Sequence, residues 1–198
     1  TRSIMGWDLA KRHDDDPIVR RTFALAERAG VEIEGVWTSQ REGMIAAVVP
    51  YHRIVLSKKL IREFDERELD AVICHEIGHL LPLPSPPPWM TLSPLLMVPA
   101  LVAMVFARDG NWPLLVLGLV LAMAGMFLLL RLVLPIRRRV EFAADAWMLR
   151  LTGDPEACES MLRKLHEGQK PDADEKWATH PNLQSRLAAL QNSEPAPL

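Results

Sequence analysis

The chain has 198 residues, 49% of them hydrophobic, with 23 basic and 25 acidic side chains that leave a formal net charge of -2. This length suits one domain with a core, or one domain plus an insertion, and the balanced charge gives neither the basic surface of a nucleic-acid binder nor an acidic tail. Two cysteines, Cys74 and Cys158, make no disulfide framework, and their number suits a reducing compartment.

Residues 1–16 read as an irregular polar segment. Asp16 as N-cap and Pro17 at the first helical position then start a helix to about Ala29, stopped by Gly30. Val31, Ile33 and Trp37 alternate as in a strand. Residues 44–49 and 53–57 are further short apolar runs, bounded by Gly43, Pro50 and Lys58, and the three together predict a small antiparallel sheet. A helix starts near Asp65, with Glu68 three residues on as its capping-box partner. Leu69, Val72, Ile73, Ile77 and Leu80 give it an apolar face, and Pro82, Pro84 and Pro86 to Pro88 end it.

Two apolar stretches follow. Residues 91–107 carry no charge, and residues 112–135 carry only Arg131. A bilayer core takes about 20 apolar residues of helix, so the second stretch is long enough and the first, with Pro94 and Pro99, lies at the lower limit. Neither is N-terminal, so neither is a cleavable signal peptide. Buried helices of a soluble core would show a polar face, and residues 114–130 supply none. Trp89 and Trp112 stand where interfacial aromatics belong, and Arg137, Arg138 and Arg139 follow the second stretch. These features predict a transmembrane helical hairpin over residues 91–134 that interrupts one domain, with residues 17–90 as its first half and 135–198 as its second. In that second half, residues 136–151 read as a helix ended by Gly153, Asp154-Pro155 starts another that ends near Gly168, and residues 181–191 form the last.

The chemistry starts at His75-Glu76-Ile77-Gly78-His79. Residues four apart share a helix face, so His75 and His79 can aim ring nitrogens at one Zn²⁺. Glu76 can then reach the metal's water as general base, and zinc lowers the pKa of that water towards about 7. A working site needs a third ligand, and no third histidine follows closely. Glu141, in Glu141-Phe142-Ala143-Ala144-Asp145, is the best candidate, because a carboxylate beside two histidines leaves a position open for water. Asp145, one turn further, faces the same way and can fix a ligand histidine through its second N–H. Two spans return the chain to the side it left, so the hairpin lets Glu141 meet His75 and His79. The basic residues after the second span put this domain in the cytoplasm.

The order H-E-I-G-H, hydrophobic hairpin, E-F-A-A-D, then Thr179-His180-Pro181 with Arg186, resembles the HtpX-like membrane zinc peptidases, relatives of the CAAX prenyl proteases and of the mitochondrial Oma-type peptidase. The likeness runs from about Pro17 to Leu190. Two features depart from the family pattern: the family's usual N-terminal transmembrane segments have no counterpart here, and a proline run follows His79. The resemblance implies an α+β fold: a mostly helical, gluzincin-type zincin domain with a small sheet. It also implies one zinc per chain, polypeptide substrates including membrane proteins, and an integral place in the bilayer of a bacterial inner membrane. His180 matches the family's histidine near the metal, where it would donate to the oxyanion or cap the zinc; a plain helix cap before Pro181 is the alternative. Arg186 has three readings: a partner for a site carboxylate, a partner for a substrate carboxylate, or a surface residue. The strand at 44–49 is expected to hold an extended peptide by its main chain. Two rivals stand against an endopeptidase, namely a non-catalytic zinc-stabilised membrane scaffold or chaperone, and a soluble zinc protein whose apolar pair is a dimer interface.

Overall fold

The computed structural model describes residues 2–4, 7–82, 95, 98–107, 110, 112–167 and 181–192. The chain divides into two compact units, Thr1–Leu83 with Val140–Leu198, and Pro84–Arg139. The expected proline exit at 84–88, Trp89, the polar linker 169–176 and His180 lie outside the described residues.

The first unit is built on a five-stranded sheet whose strands are β1 (Arg2–Ile4), β2 (Trp7–Lys11), β3 (Gly35–Ser39), β4 (Ala46–Val49) and β5 (Arg53–Ser57), in the order β1-β2-β3-β5-β4. Two expectations are corrected here. Residues 2–4 and 7–11 are not irregular: they form β1 and β2, which pair, and β2 continues onto β3 with Leu9 opposite Ser39. The partner that orders this short segment is some thirty residues away, so no local pattern announces it. The sheet is mixed rather than antiparallel, because β5 inserts between β3 and β4 and pairs with β3 in parallel, Gly35 opposite Arg53 through Ser39 opposite Ser57. That pairing also moves the third strand from the expected 31–37 to Gly35–Ser39. β4 and β5 form a hairpin through Tyr51 and His52, both at positive φ, and β4 is left on the open edge.

Helices cover one face. α1 (Pro17–Arg28) begins as expected, with the Asp16 side chain accepting from the Ile18 N–H. α2 (Lys58–Glu63) was not foreseen; Ser57 ends β5 and its hydroxyl accepts from the Leu60 N–H, so the chain passes from strand to helix without a loop. α3 (Glu66–Gly78) has the full capping box of Asp65 and Glu68. α6 (Pro155–His166), capped by Asp154, and α7 (Leu183–Asn192) complete the set with the end of α5 (Trp112–Thr152). Val36, Ile54 and Leu56 from the sheet, Val72, Ile73 and Ile77 from α3, and Met148 and Leu151 from α5 meet in one buried core. At about 25 cal/mol per Å² of buried apolar surface, this contact is the main force closing the sheet onto the helices.

The second unit holds α4 (Val98–Ala107) and most of α5. α4 spans ten described residues, and most of the remaining expected first span, 91–97, lies outside the described residues. The expected boundary at Pro135 is not a boundary. α5 runs unbroken for 41 residues with Pro135 inside it, about 60 Å at 1.5 Å per residue. Proline deletes one backbone hydrogen bond, and the ladder on both sides carries the helix through. Among the described residues α5 is the one helix long and apolar enough to cross a membrane. α4 and α5 touch at Gly118, where an added Cβ would lie 2.1 Å from the Ala103 Cβ and 2.7 Å from the Pro99 carbonyl oxygen.

Candidate metal centre

Three helices of the first unit converge on one point. α3 buries a continuous run from Ala71 to Gly78, and within it His75 and Glu76 are 8% and 7% exposed. His79 is the helix's C-cap, so the histidine pair sits at the C-terminal end of α3. α5 brings up Glu141 and Asp145 one turn apart, and α7 brings Arg186. Asn182 starts α7, its side-chain oxygen accepting from the Ser185 N–H at 2.7 Å, and this fixes the turn from which Arg186 reaches inward.

The ligand-type atoms form a small triangle. His75 Nε2 lies 3.2 Å from His79 Nε2 and 3.7 Å from Glu141 Oε2, and His79 Nε2 lies 3.8 Å from Glu141 Oε1. Tetrahedral zinc with bonds near 2.0–2.2 Å needs ligand atoms about 3.3–3.6 Å apart. The donor set therefore fits one such ion with shifts of a few tenths of an ångström, and among the described residues it is the cluster of this kind. The other ring nitrogen of His75, Nδ1, lies 3.0 Å from Asp145 Oδ1, with its N–H off the direct line. A proton kept at Nδ1 leaves the Nε2 lone pair facing Glu141.

Asp145 is held in turn. Arg186 donates from Nε to Oδ2 at 2.8 Å and from Nη2 to Oδ1 at 2.5 Å, and the two side chains are almost wholly buried. Of the three readings of Arg186, this geometry matches the site-carboxylate partner. Burial alone would push the Asp145 carboxyl up, but the Arg186 hydrogen bonds and His75 outweigh it and hold the carboxyl below its usual range. His79 is pushed down to about 4, first by burial and then by His75, against the pull of Glu141, so its ring is neutral at neutral pH. Burial pushes Glu76 up; His75 opposes the rise and Glu141 adds to it.

The sequence reading missed one contact. The backbone N–H of Val48, on β4, lies near the Glu76 carboxylate and favours its charged form. The hairpin register explains its direction. Ser57 N–H donates to the Ile45 carbonyl, so Ile45 and Ser57 form a hydrogen-bonded pair. Alternation along the ladder then turns the N–H and C=O of Ala46 and Val48 away from β5. Only the placement of β4 on the sheet edge could have revealed this, and that required the strand order.

Known proteins resemble this chain to different depths. The chain is similar to a protease HtpX homolog of Bacteroides fragilis (strain YCH46), 26% identical over 179 residues, a match covering 71% of this chain and 56% of the relative. It thus spans about half the length of the curated relative it matches. Its fold is similar to that in the crystal structure of S. mikatae Ste24p, with a TM-score of 0.61 at 18% identity over 93% of this chain and 52% of that one. The description of Peptidase family M48 matches residues 14–194, nearly the whole chain, and this chain belongs to that family.

Proposed function

We propose that this chain is a membrane-anchored, zinc-dependent endopeptidase. The observation that carries the reading is the convergence of His75, His79 and Glu141 with a buried Glu76 next to the first histidine. These three residues would hold one zinc ion, which when bound polarises a water and a peptide carbonyl. Glu76 takes the proton of the attacking water and later passes it to the leaving amine; its raised pKa suits it to hold that proton between the two steps. The nearby Val48 N–H favours the carboxylate form of Glu76, the form that takes the proton. Asp145 holds His75 in the tautomer that presents Nε2, and Arg186 keeps Asp145 ionised and in place. His180, next to Pro181, is the candidate donor to the oxyanion.

The open edge of β4 supports a polypeptide substrate. Ala46 offers an outward N–H and C=O, and Val48 an outward C=O, to an extended chain running antiparallel beside the strand. α5 supports the membrane anchor, with Arg137 to Arg139 on the cytoplasmic side of a bacterial inner membrane and membrane proteins among the substrates. The test is metal analysis and proteolysis of an unfolded casein-type substrate by the detergent-purified chain. Wild type should carry one zinc and cut; Glu76→Gln should carry the zinc and not cut. A Glu76→Gln chain that still cuts, or a zinc-loaded wild type that cuts nothing, sinks the reading.

A further inference from the structure

Gly78 lies between the two histidines, three residues after His75 and one before His79. Glycine near a helix end is usually there to adopt a left-handed turn. Gly78 is not among the glycines at positive φ, and the residue after it, His79, closes the helix in the ordinary right-handed region. Backbone conformation would therefore accept alanine at this position, and alanine is the better helix former.

Space is what excludes it. A Cβ on Gly78 would lie 3.1 Å from the Ala144 Cα, 3.1 Å from the Ala144 carbonyl oxygen and 3.3 Å from the Trp147 Cβ. All three atoms belong to one turn of α5, and two of them are backbone, so no rotamer change relieves the overlap. Ala144 occupies the same place in its motif that Gly78 does in the other: it stands three residues after Glu141 and one before Asp145. This contact between α3 and α5 thus falls within one turn of His75, Glu76, His79, Glu141 and Asp145.

We propose that Gly78 is a positioning residue of the metal centre: the hydrogen in place of a side chain sets the separation of α3 and α5, and so brings Glu141 within reach of both histidines. This inference rests on the metal reading of His75, His79 and Glu141. A methyl at 78 pushes the Ala144 turn outward by a few tenths of an ångström. The shift lengthens the Glu141 contacts, now 3.7 and 3.8 Å, and the 3.0 Å contact from Asp145 to His75 together. A new Glu141 rotamer can recover one of these distances but not all three, and metal sites tolerate deviations of only about 0.2 Å in ligand distance.

The experiment compares wild type, Glu76→Gln and Gly78→Ala as full chains in detergent. Three quantities are read: the zinc Kd by chelator competition, the absorption spectrum with Co²⁺ in place of zinc, and the thermal midpoint of the metal-free chain. Gly78→Ala is expected to weaken zinc binding by about tenfold or more, and to lose intensity in the tetrahedral Co²⁺ bands. Its metal-free midpoint should stay within a few degrees of wild type, because alanine's gain in helix propensity offsets the overlap. Gly78→Val should weaken zinc further. A plain packing role predicts the opposite pattern, a moved midpoint with Kd held within twofold, and that result overturns the proposal. So does a Gly78→Ala chain that fails to fold with zinc in excess, since it marks a general packing position. Glu76→Gln should bind zinc as wild type does; a wild type that binds no zinc removes the metal reading itself, and the two failures are distinct.

Discussion

The two units of this chain solve opposite problems. The first buries charge: Glu68, Glu76, Glu141, Asp145 and Arg186 are each 9% exposed or less, and every one of them has a charged or hydrogen-bonding neighbour. Glu68 alone accepts from Ser160 at 2.6 Å and pairs with Lys164, tying α3 to α6. The second unit exposes grease: Val105, Met123 and Leu128 are 69%, 74% and 57% exposed, and its two helices meet over a glycine. Buried charge is stable only when paired, because an unpaired ion loses its hydration with nothing in return. Exposed apolar surface on this scale is stable only where the surroundings are themselves apolar. One unit is therefore sensitive to charge and pH, the other to shape.

Removing Arg186 should test that contrast most severely. Arg186→Ala leaves Asp145 buried without its partner, at a cost of about 3–5 kcal/mol, which denaturant unfolding of the first unit reads directly. A loss under 1 kcal/mol would mean that the buried pair contributes little to holding the unit together.

Acid comes next. His79 has a folded pKa near 4 against about 6.5 unfolded, so between those values the unfolded chain binds the extra proton and stability falls as pH falls. The metal-free chain should lose up to about 3 kcal/mol on this account from pH 7 to pH 4. The lowered Asp145 adds to the loss at the acid end, and the raised Glu76 works against it. Unfolding followed at the first unit should show this dependence, whereas helix loss in the second should not.

Shape is probed by Gly118→Val. Its Cβ has nowhere to go beside Ala103, and overpacking of this kind costs about 1–3 kcal/mol. The loss should fall on the α4–α5 pair, read by cross-linking cysteines placed across it, while the zinc Kd stays at the wild-type value. A changed Kd would show that the two units do not answer separately. Asp65→Ala, which removes the α3 cap, should cost the first unit about 1 kcal/mol. A tenfold change in zinc affinity from this distant cap would blur the contrast.

Much of this protein is written locally. Asp16, Asp65 and Asp154 each announce a helix start, and all three are N-caps. The four-residue spacing of His75 and His79 and the long apolar run after Trp112 needed no partner to be read, because helix caps, periodicity and hydropathy are properties of neighbours in sequence. Even Glu141 could be nominated, since a half-complete ligand set limits what the missing member can be.

The tertiary structure decided the rest. It put β5 between β3 and β4, which made the sheet mixed and left β4 as the edge. It made strands of residues 2–4 and 7–11 through a partner far along the chain, and carried α5 through Pro135. It also joined Arg186 to Asp145 across 41 residues of sequence, and set Gly78 against Ala144. Each of these depends on two segments meeting, and the free energy of that meeting lies in buried area, pairing and fit that neither segment carries alone.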